Sequence, residues 1–278
     1  MHTHISVPAS SSAAGGSAKK VYPKSLSIGD ILRLGTVMTK KTEKIDLFTF
    51  DLSHLEWSTL PRAAEFIVEG NSFASGGFRE AYKASSITEE FSGKTWVIKK
   101  YLDRALDDME LTKQTPEEHT KKSVQMHYLA RNFALQLKQK IEREDLKEEF
   151  GETFTYEKVY MGKTSDNYVT VEEFIPGEFV KYMNNNGELC ESNSEAARKA
   201  QAFAHFTYEK SEGKVIVLDL QGSGYTLYDP EVASTDRVSE DGSFQFCTGN
   251  LSTAAISNCF QKHKCNLYCN LLKLKLHA

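Results

Sequence analysis

The chain lacks both a long hydrophobic run and a strong charge bias. None of its apolar stretches approaches the ~18 residues that a membrane-spanning helix requires, so we expect no membrane span. Lysine and arginine total 34 against 38 acidic residues, which gives a net charge of -4. This balance disfavours a nucleic-acid partner, because such proteins carry a basic patch or stripe. The first residues also lack the basic start and apolar middle of a signal peptide, and we expect a cytoplasmic protein.

The chain has only five cysteines, which is an odd number. This usage favours a reduced intracellular protein with a metal site over a secreted disulfide framework. His263, Cys265 and Cys269 lie within one short segment, and imidazole and thiolate are the ligands that tetrahedral Zn²⁺ prefers. A closed structural site needs a fourth ligand from elsewhere, and Cys259 is a further candidate. Without a fourth ligand, the cysteines are interpreted as buried free thiols.

The patterning divides the chain into a polar tail, a β-rich half and a mixed half. Residues 8–19 are small and polar, and residues 1–44 together are interpreted as a disordered tail. An apolar stripe at steps of three and four between Met126 and Ile141 predicts a long helix. Strands are predicted from residue 45, at 66–68, on both sides of a turn at 76–77, and at 94–101, 154–161, 168–174 and 215–218. Helices are predicted at 195–206, 253–260 and 267–276, with a long loop at 234–245.

The strand Val215–Leu218 leads into a glycine-rich loop that carries three oxygen-donor side chains. Asp219 and Gln221 are two residues apart, so an extended backbone points both to one face. A second carboxylate, Asp229, stands directly before a proline. Such donors suit Mg²⁺ and a phosphate ester better than zinc. This stretch alone is equally compatible with an ordinary strand followed by an Asx turn.

A second group of candidate residues surrounds the turn at Gly76 and Gly77. Glycine lets backbone N–H groups approach a phosphate closely, because it has no Cβ. Arg79, Lys83 and Lys99 are cations that the neighbouring strands can place beside the turn. The plainer interpretation is a hairpin turn with surface lysines around it.

Taken together, these motifs resemble the alpha-kinase family, the atypical protein kinases that include myosin heavy chain kinases, elongation factor 2 kinase and the channel-kinases. The resemblance runs in order over roughly residues 66–276. It is carried by seven segments: Gly76–Lys83, Trp96–Tyr101, Val171–Tyr182, Ala202–Glu209, Asp219–Gly222, Asp229–Pro230 and His263–Cys269.

The resemblance implies roles around a nucleotide. Lys99 would hold the α- and β-phosphates of ATP, and Glu172 with Ile175 would lie along the adenine at a hinge. Asp219 would orient or deprotonate the substrate hydroxyl. Gly76, Gly77 and Arg79 would belong to the nucleotide site, and Gln221 and Asp229 would hold Mg²⁺.

The resemblance also implies the missing zinc ligand. His205 lies on an apolar helical face, where a lone histidine is usually a core residue. In the family pattern it would join His263, Cys265 and Cys269 in a structural zinc site.

We therefore expect an α+β fold of the two-lobed, atypical protein-kinase type. Its β-rich N-terminal lobe would span about residues 45–174, and its mixed, zinc-stabilised C-terminal lobe about 175–278. The expected function is ATP-dependent serine/threonine protein kinase activity on a protein substrate, with Mg²⁺ and a structural Zn²⁺. The alternative is a catalytically weak or inactive pseudokinase that serves as a binding module. A zinc-dependent nucleic-acid module is disfavoured by the net charge of -4.

One position departs from the family pattern. The family usually carries a segment that resembles Gly-Asn-Leu-Gly late in the C-terminal lobe, and residues 249–252 read Gly-Asn-Leu-Ser. If the last position requires a positive φ, Ser252 is expected to be strained there.

Overall fold

The computed structural model describes residues 25, 27–33, 35, 41–111, 113–191, 194–236, 238, 245–246 and 250–275. The chain divides into two units, residues 1–40 and residues 41–278. In the first unit the described residues form a short helix, α1 (Ile28–Arg33). Most of the predicted tail lies outside the described residues. Its last two residues, Glu43 and Lys44, already belong to the first strand of the second unit because they pair with Phe66 and Glu65.

The second unit contains fifteen strands and six helices among its described residues, beside a 3₁₀ turn at Glu89–Phe91. The strands are β1 (Glu43–Phe48), β2 (Phe50–Asp51), β3 (Glu56–Trp57), β4 (Arg62–Val68), β5 (Ala74–Ser75), β6 (Arg79–Ser86), β7 (Thr95–Tyr101), β8 (Thr155–Tyr156), β9 (Val159–Lys163), β10 (Tyr168–Glu173), β11 (Phe179–Lys181), β12 (Val215–Leu218), β13 (Gln221–Ser223), β14 (Thr226–Leu227) and β15 (Glu231–Ser234). The helices are α2 (Asp103–Leu111), α3 (Pro116–Arg143), α4 (Lys147–Phe150), α5 (Glu195–Lys210), α6 (Ser252–Lys262) and α7 (Leu267–Leu271).

The β-rich half is one antiparallel sheet in the order β4-β1-β9-β10-β7-β6-β5. Strand β4 also pairs with β6, so six of the strands form a closed ring and β5 is attached to it through β6. Ile45, Phe66, Ile98 and Val171 fill its interior and are fully buried. The predicted meander is present in β5, β6 and β7, which pair consecutively.

Helix α3 is longer than its apolar stripe predicts, because its N-terminus has strong local start signals. Thr115 accepts a hydrogen bond from the Glu118 backbone, the Glu118 side chain accepts one from Thr115, and Pro116 occupies the first turn. The predicted stripe is confirmed, since Met126, Ala130 and the later members of the stripe are buried against the C-terminal core.

The mixed half packs around α5. Ala197, Ala200, Ala204 and Phe203 are fully buried, and these small side chains let β12 lie close to the helix. Strand β12 pairs with β15, while β11, β13, β14 and β8 form a separate four-stranded sheet. The α+β prediction is therefore confirmed.

Some predicted bounds were wrong. The single strand predicted at 154–161 is two strands in different sheets, β8 and β9, because the chain turns away between them to accept a hydrogen bond from His127 at the Glu157 carbonyl. The helix predicted at 267–276 ends at Leu271. The loop predicted at 234–245 lies mostly outside the described residues.

Ser252 has φ of +56°. The condition for the expected strain is met, because a left-handed backbone is unfavourable for an L-residue that has a Cβ. The backbone is held there by Asn250, whose buried side chain accepts a hydrogen bond from the Ser252 amide at 2.9 Å and donates one to the Ser234 hydroxyl at 2.7 Å.

Ser252→Gly should raise the free energy of unfolding by about 0.5–1 kcal/mol, since glycine adopts this φ without strain. Chemical denaturation would measure the change. Ser252→Ala is the matched control, because it removes the hydroxyl contact to the Thr235 carbonyl but keeps the Cβ. A gain in the alanine variant, or none in the glycine variant, would contradict the strain argument.

Two histidines of α3 are buried beneath the sheet. Burial lowers the pKa of His127 to about 4. Burial, reinforced by the charges of Arg79 and Lys122, lowers the pKa of His119 to about 4 as well. Both therefore fold in the neutral form.

These shifts predict a pH dependence of stability with a defined sign. An unfolded histidine has a pKa of about 6.5, whereas these two buried histidines resist protonation until about pH 4. The free energy of unfolding is therefore highest above pH 6.5 and falls as the pH decreases toward about 4, because only the unfolded chain takes up protons in this window. The double variant His119→Gln/His127→Gln should show a flatter profile of unfolding free energy than the wild type across this window. His54→Gln, at an exposed histidine, is the control and should follow the wild type. Parallel profiles for wild type and double variant would disprove the assignment.

Candidate active site and metal centre

A cleft of about 730 Å³ separates the sheet from the C-terminal strands. Its size suits a nucleotide-sized ligand. Every residue for which a nucleotide, magnesium or catalytic role was predicted lines it: Gly76, Gly77, Arg79, Lys99, Glu172, Ile175, Asp219, Gln221 and Asp229. Arg79, Lys99 and Glu172 are far apart in sequence but close in space, because their strands β6, β7 and β10 are neighbours in the sheet.

Lys99 lies at the centre of the cleft on β7 and is 9% exposed. Its Nζ contacts the Glu172 carboxylate and lies 2.5 Å from Asp229 Oδ1. Burial alone would lower the pKa of Lys99, but Asp229 and Glu172 outweigh it and raise the pKa above the ordinary lysine value. The ammonium is therefore charged and held by two carboxylates. The resemblance placed Glu172 along the adenine, whereas the structure places its side chain against Lys99.

The two carboxylates are not equivalent. Burial raises the pKa of Glu172 despite the charge of Lys99. Burial also opposes ionisation of Asp229, but Lys99 more than compensates and holds its pKa below the usual range. The side chain of Asp229 is half exposed toward the open cleft, whereas that of Glu172 is buried. Asp229 is consequently the carboxylate that is both ionised and accessible to a ligand.

Arg79 and the glycine turn occupy one end of the cleft. The Gly76 amide donates to the Arg79 carbonyl at 2.8 Å, which closes the hairpin between β5 and β6. The guanidinium of Arg79 donates to Tyr101 Oη at 2.6 Å and to Thr170 Oγ1 at 3.3 Å. The predicted hairpin is thus present, but of the three cations predicted beside the turn only Arg79 lies there.

Asp219 stands where β12 gives way to β13. Lys181 Nζ lies 2.7 Å from its Oδ1, and the Gln221 amide donates to its Oδ2 at 3.1 Å. Burial raises the pKa of Asp219, although the ion pair with Lys181 acts in the opposite direction. Both Asp219 and Asp229 have left-handed backbones, with φ of +52° and +50°. Aspartate tolerates this region, and such strained conformations cluster at functional sites.

Gly222 explains why the chain can turn so sharply after Gln221. A Cβ at this position would lie 2.1 Å from the Thr226 carbonyl oxygen and 2.8 Å from Leu227 Cα. Only glycine therefore permits the tight β13–β14 hairpin that returns the chain toward Asp229.

Sequence reasoning missed Lys181 and Glu231 as site residues. Lys181 lies in a segment that carried the resemblance, but its contact with Asp219 depends on the pairing of β11 with β13, which no local pattern reveals. Glu231 lines the cleft, and its Oε2 is buried without a hydrogen-bond partner among the described residues. Burial, with the nearby charges of Asp219 and Asp229, raises the pKa of Glu231 to about 8.

The other end of the cleft is apolar and aromatic. Phe73 and Phe174 meet edge to face at 5.8 Å, and Lys83 Nζ lies 4.4 Å from the centre of the Phe174 ring. Ala81 and Val97 complete this lining. The arrangement suits a flat, largely apolar group, and the third predicted cation, Lys83, lies here rather than beside Arg79.

The four predicted zinc ligands come together among α5, α6 and α7. His205, His263, Cys265 and Cys269 offer ligand atoms within 4.8 Å of one another. The two imidazole nitrogens are 3.1 Å apart, and the three sulfur–nitrogen distances are 3.6–3.7 Å. Tetrahedral Zn²⁺ with its usual bond lengths requires about 3.3 Å between nitrogens and about 3.6 Å between nitrogen and sulfur. The residues therefore fit a closed, four-coordinate zinc site.

Two helices and the connection between α6 and α7 supply these ligands. His205 lies on α5 and is 1% exposed, His263 caps the end of α6, Cys265 lies in the connection, and Cys269 lies in α7. Asn266 caps α7 by accepting from the Tyr268 and Cys269 amides, which fixes Cys269. Cys259, the other candidate ligand, is buried but lies outside the group.

In the part of the chain that the structure describes, no helix is both long and apolar enough to cross a membrane.

Comparisons with known proteins agree with this geometry. The family model described as the Alpha-kinase family matches residues 74–269. Transient receptor potential cation channel subfamily M member 6 of Mus musculus is 29% identical over 244 residues, which is 84% of this chain and 12% of that protein. Alpha-protein kinase vwkA of Dictyostelium discoideum is 30% identical over 257 residues, or 90% of this chain and 38% of that protein. The chain thus spans a minor part of these relatives.

Solved structures match most of the chain. The alpha-kinase domain of myosin heavy chain kinase A in complex with AMP has a TM-score of 0.68 at 25% identity, covering 84% of this chain and 100% of that one. The same domain in complex with AMP-PNP has a TM-score of 0.69 at 24% identity, with coverage of 87% and 98%. These matches establish the fold. Since the family model also covers more than half of its residues, the chain belongs to the alpha-kinase family.

Proposed function

We propose that this chain is an ATP-dependent serine/threonine protein kinase that transfers the γ-phosphate of ATP to a hydroxyl of a protein substrate. The observation that carries the proposal is the convergence of Lys99, Asp229 and Asp219 in one cleft, each held by a specific partner. Phosphoryl transfer requires mainly positioning and charge neutralisation, and these groups supply both. The cleft would divide an N-terminal lobe of about residues 45–174 from a C-terminal lobe of about 175–278, in a protein that acts in the cytoplasm.

The nucleotide would lie along the cleft with its base at the aromatic end. Ala81, Val97 and Phe174 offer an apolar surface for the base, with Ile175 beside it. The phosphates would extend toward Lys99, Arg79 and the turn at residues 76–77. The alpha-kinase domain of myosin heavy chain kinase A was solved in complex with AMP, which supports nucleotide binding here by analogy.

Gln221 and Asp229 would hold Mg²⁺, for which carboxylate and amide oxygens are the preferred ligands. Asp229 is suited to this because it is ionised and half exposed to the cleft. When bound, the metal neutralises charge on the phosphates. The chain's own contribution is to keep the Lys99 ammonium charged, so that it can donate to phosphate oxygens.

Asp219 would accept the proton of the substrate hydroxyl. Its pKa is raised, which brings it toward the range useful for a general base. Lys181 and Gln221 fix its orientation through one carboxylate oxygen each. As the acceptor oxygen bonds to the γ-phosphorus, the bond from that phosphorus to the β–γ bridging oxygen breaks and ADP leaves.

The zinc site would be structural. Four protein ligands close the tetrahedron and leave no position for a substrate. The metal would connect α5 with the end of α6 and with α7, and α5 in turn packs against β12, which leads into Asp219.

Asp219→Asn should lower the rate of phosphate transfer by at least about 10²-fold, because proton acceptance is lost while the side chain's size is kept. The measurement is labelled ATP with a generic basic protein, in parallel with nucleotide binding and thermal unfolding. Asp166→Asn, at an exposed aspartate outside the cleft, is the control and should transfer normally. Transfer retained by Asp219→Asn would remove Asp219 from this role. A wild type that binds nucleotide with Mg²⁺ but never transfers phosphate would instead establish the inactive, binding-module alternative.

Cys269→Ser should reduce the zinc content from one ion per chain to none and lower the melting temperature by about 10 °C or more, because metal binding is coupled to folding. Elemental analysis and thermal unfolding on the same sample would test both. Cys190→Ser is the matched control, since Cys190 is an exposed thiol outside the cluster. A wild type without stoichiometric zinc would refute the metal site.

A further inference from the structure

The surface around Asp219 continues along strands β11 and β13. Strands β11 and β13 pair so that Lys181 stands opposite Gln221, and Phe179 stands opposite Ser223. Residues opposite each other in an antiparallel pair share a face, as do residues two apart in one strand. Lys181 and Gln221 both contact Asp219, so Phe179 lies on the same face as the candidate catalytic base.

The orientation of Phe179 is supported by its neighbour. Val180, the residue between Phe179 and Lys181, packs against the C-terminal hydrophobic core. Because side chains alternate along a strand, Phe179 points away from that core. The residue is 56% exposed and lines the cleft.

Phe179 does not stand alone. Its ring stacks on Tyr228 with a centroid distance of 6.2 Å and an interplanar angle of 29°. Tyr228 directly precedes Asp229, and its ring centre lies 5.9 Å from Lys99 Nζ. Phe179 and Tyr228 therefore form an aromatic platform between the acceptor face and the phosphate end of the cleft.

We propose that the aromatic platform binds a large apolar side chain of the protein substrate, within two residues of the acceptor hydroxyl. This inference rests on the proposed kinase function. Phe179 is two residues along β11 from Lys181, and two residues of an extended peptide span about 6.6 Å. A peptide whose hydroxyl reaches Asp219 thus brings a neighbouring side chain over the exposed ring. The nucleotide base would have other aromatic partners, Phe73 and Phe174, on the sheet side of the cleft.

The test is a set of peptides with one fixed threonine in which each of the two positions on either side carries leucine, phenylalanine, lysine, glutamate or glycine in turn. The wild type should show a kcat/KM about tenfold higher for leucine or phenylalanine than for glycine at one of these positions, as expected for one well-packed apolar contact. Phe179→Ala should reduce this preference to within about twofold, through the peptide KM rather than the nucleotide affinity. Phe179→Leu should retain part of it.

Ile87→Ala is the matched control, because Ile87 has the same exposure of 56% and lies outside the cleft. Its peptide preference should equal that of the wild type. The proposal is overturned if the wild type shows no apolar preference, if the preference persists in Phe179→Ala, or if Phe179→Ala weakens nucleotide binding and leaves the preference unchanged.

Equilibrium binding separates this proposal from the kinase proposal. Fluorescent versions of the same peptides would be titrated against the protein with AMP-PNP and Mg²⁺. If no peptide is phosphorylated but apolar-flanked peptides bind more tightly in a Phe179-dependent way, the platform stands and the kinase function fails. If no peptide is phosphorylated and none binds selectively, the platform fails as well.

Discussion

The buried ammonium of Lys99 is the interaction on which the cleft depends. It joins β7 to β10 through Glu172, and to the loop before β15 through Asp229, which is far away in sequence. Removing the ammonium would leave the carboxylates of Glu172 and Asp229 close together without the cation they share, which is destabilising chiefly because Glu172 is buried. The sheet and the C-terminal strands are thus held in their relative positions by the same group that is proposed to receive the phosphates.

On the C-terminal side of the cleft, the strand that leads into Asp219 is packed between other elements. Asp219 and Asp229 both keep left-handed backbones, which persist only when their surroundings fix them. β12, which leads into Asp219, lies between β15 and the alanine-rich face of α5, and His205 on α5 belongs to the His/Cys cluster. The strained backbone at the site therefore follows a strand that is densely packed against α5.

Much of the cleft and of the His/Cys cluster could be predicted from the sequence, because many of their residues lie in short local motifs. Lys99 at the end of an apolar run, the oxygen donors around Gln221 and the closely spaced His263, Cys265 and Cys269 were all visible as motifs. What could not be predicted depends on strand register and tertiary hydrogen bonds. Lys181 reaches Asp219 only because β11 pairs with β13, and the break between β8 and β9 reflects a hydrogen bond from α3. Glu231 follows a proline in an apolar strand and carries no motif of its own.

The closed ring of the sheet has a mechanical consequence. Each of its six strands is paired on both sides, so none can shift without breaking two ladders. Strand β5 pairs only with β6, and both of its residues are exposed. The hairpin that carries Gly76 and Gly77 is thus held by the β5–β6 ladder and by hydrogen bonds from Leu102 to the Phe78 carbonyl and from Arg104 to the Gly76 carbonyl. Displacing β5 breaks a single ladder, whereas displacing the strand of Lys99 or of Glu172 breaks two.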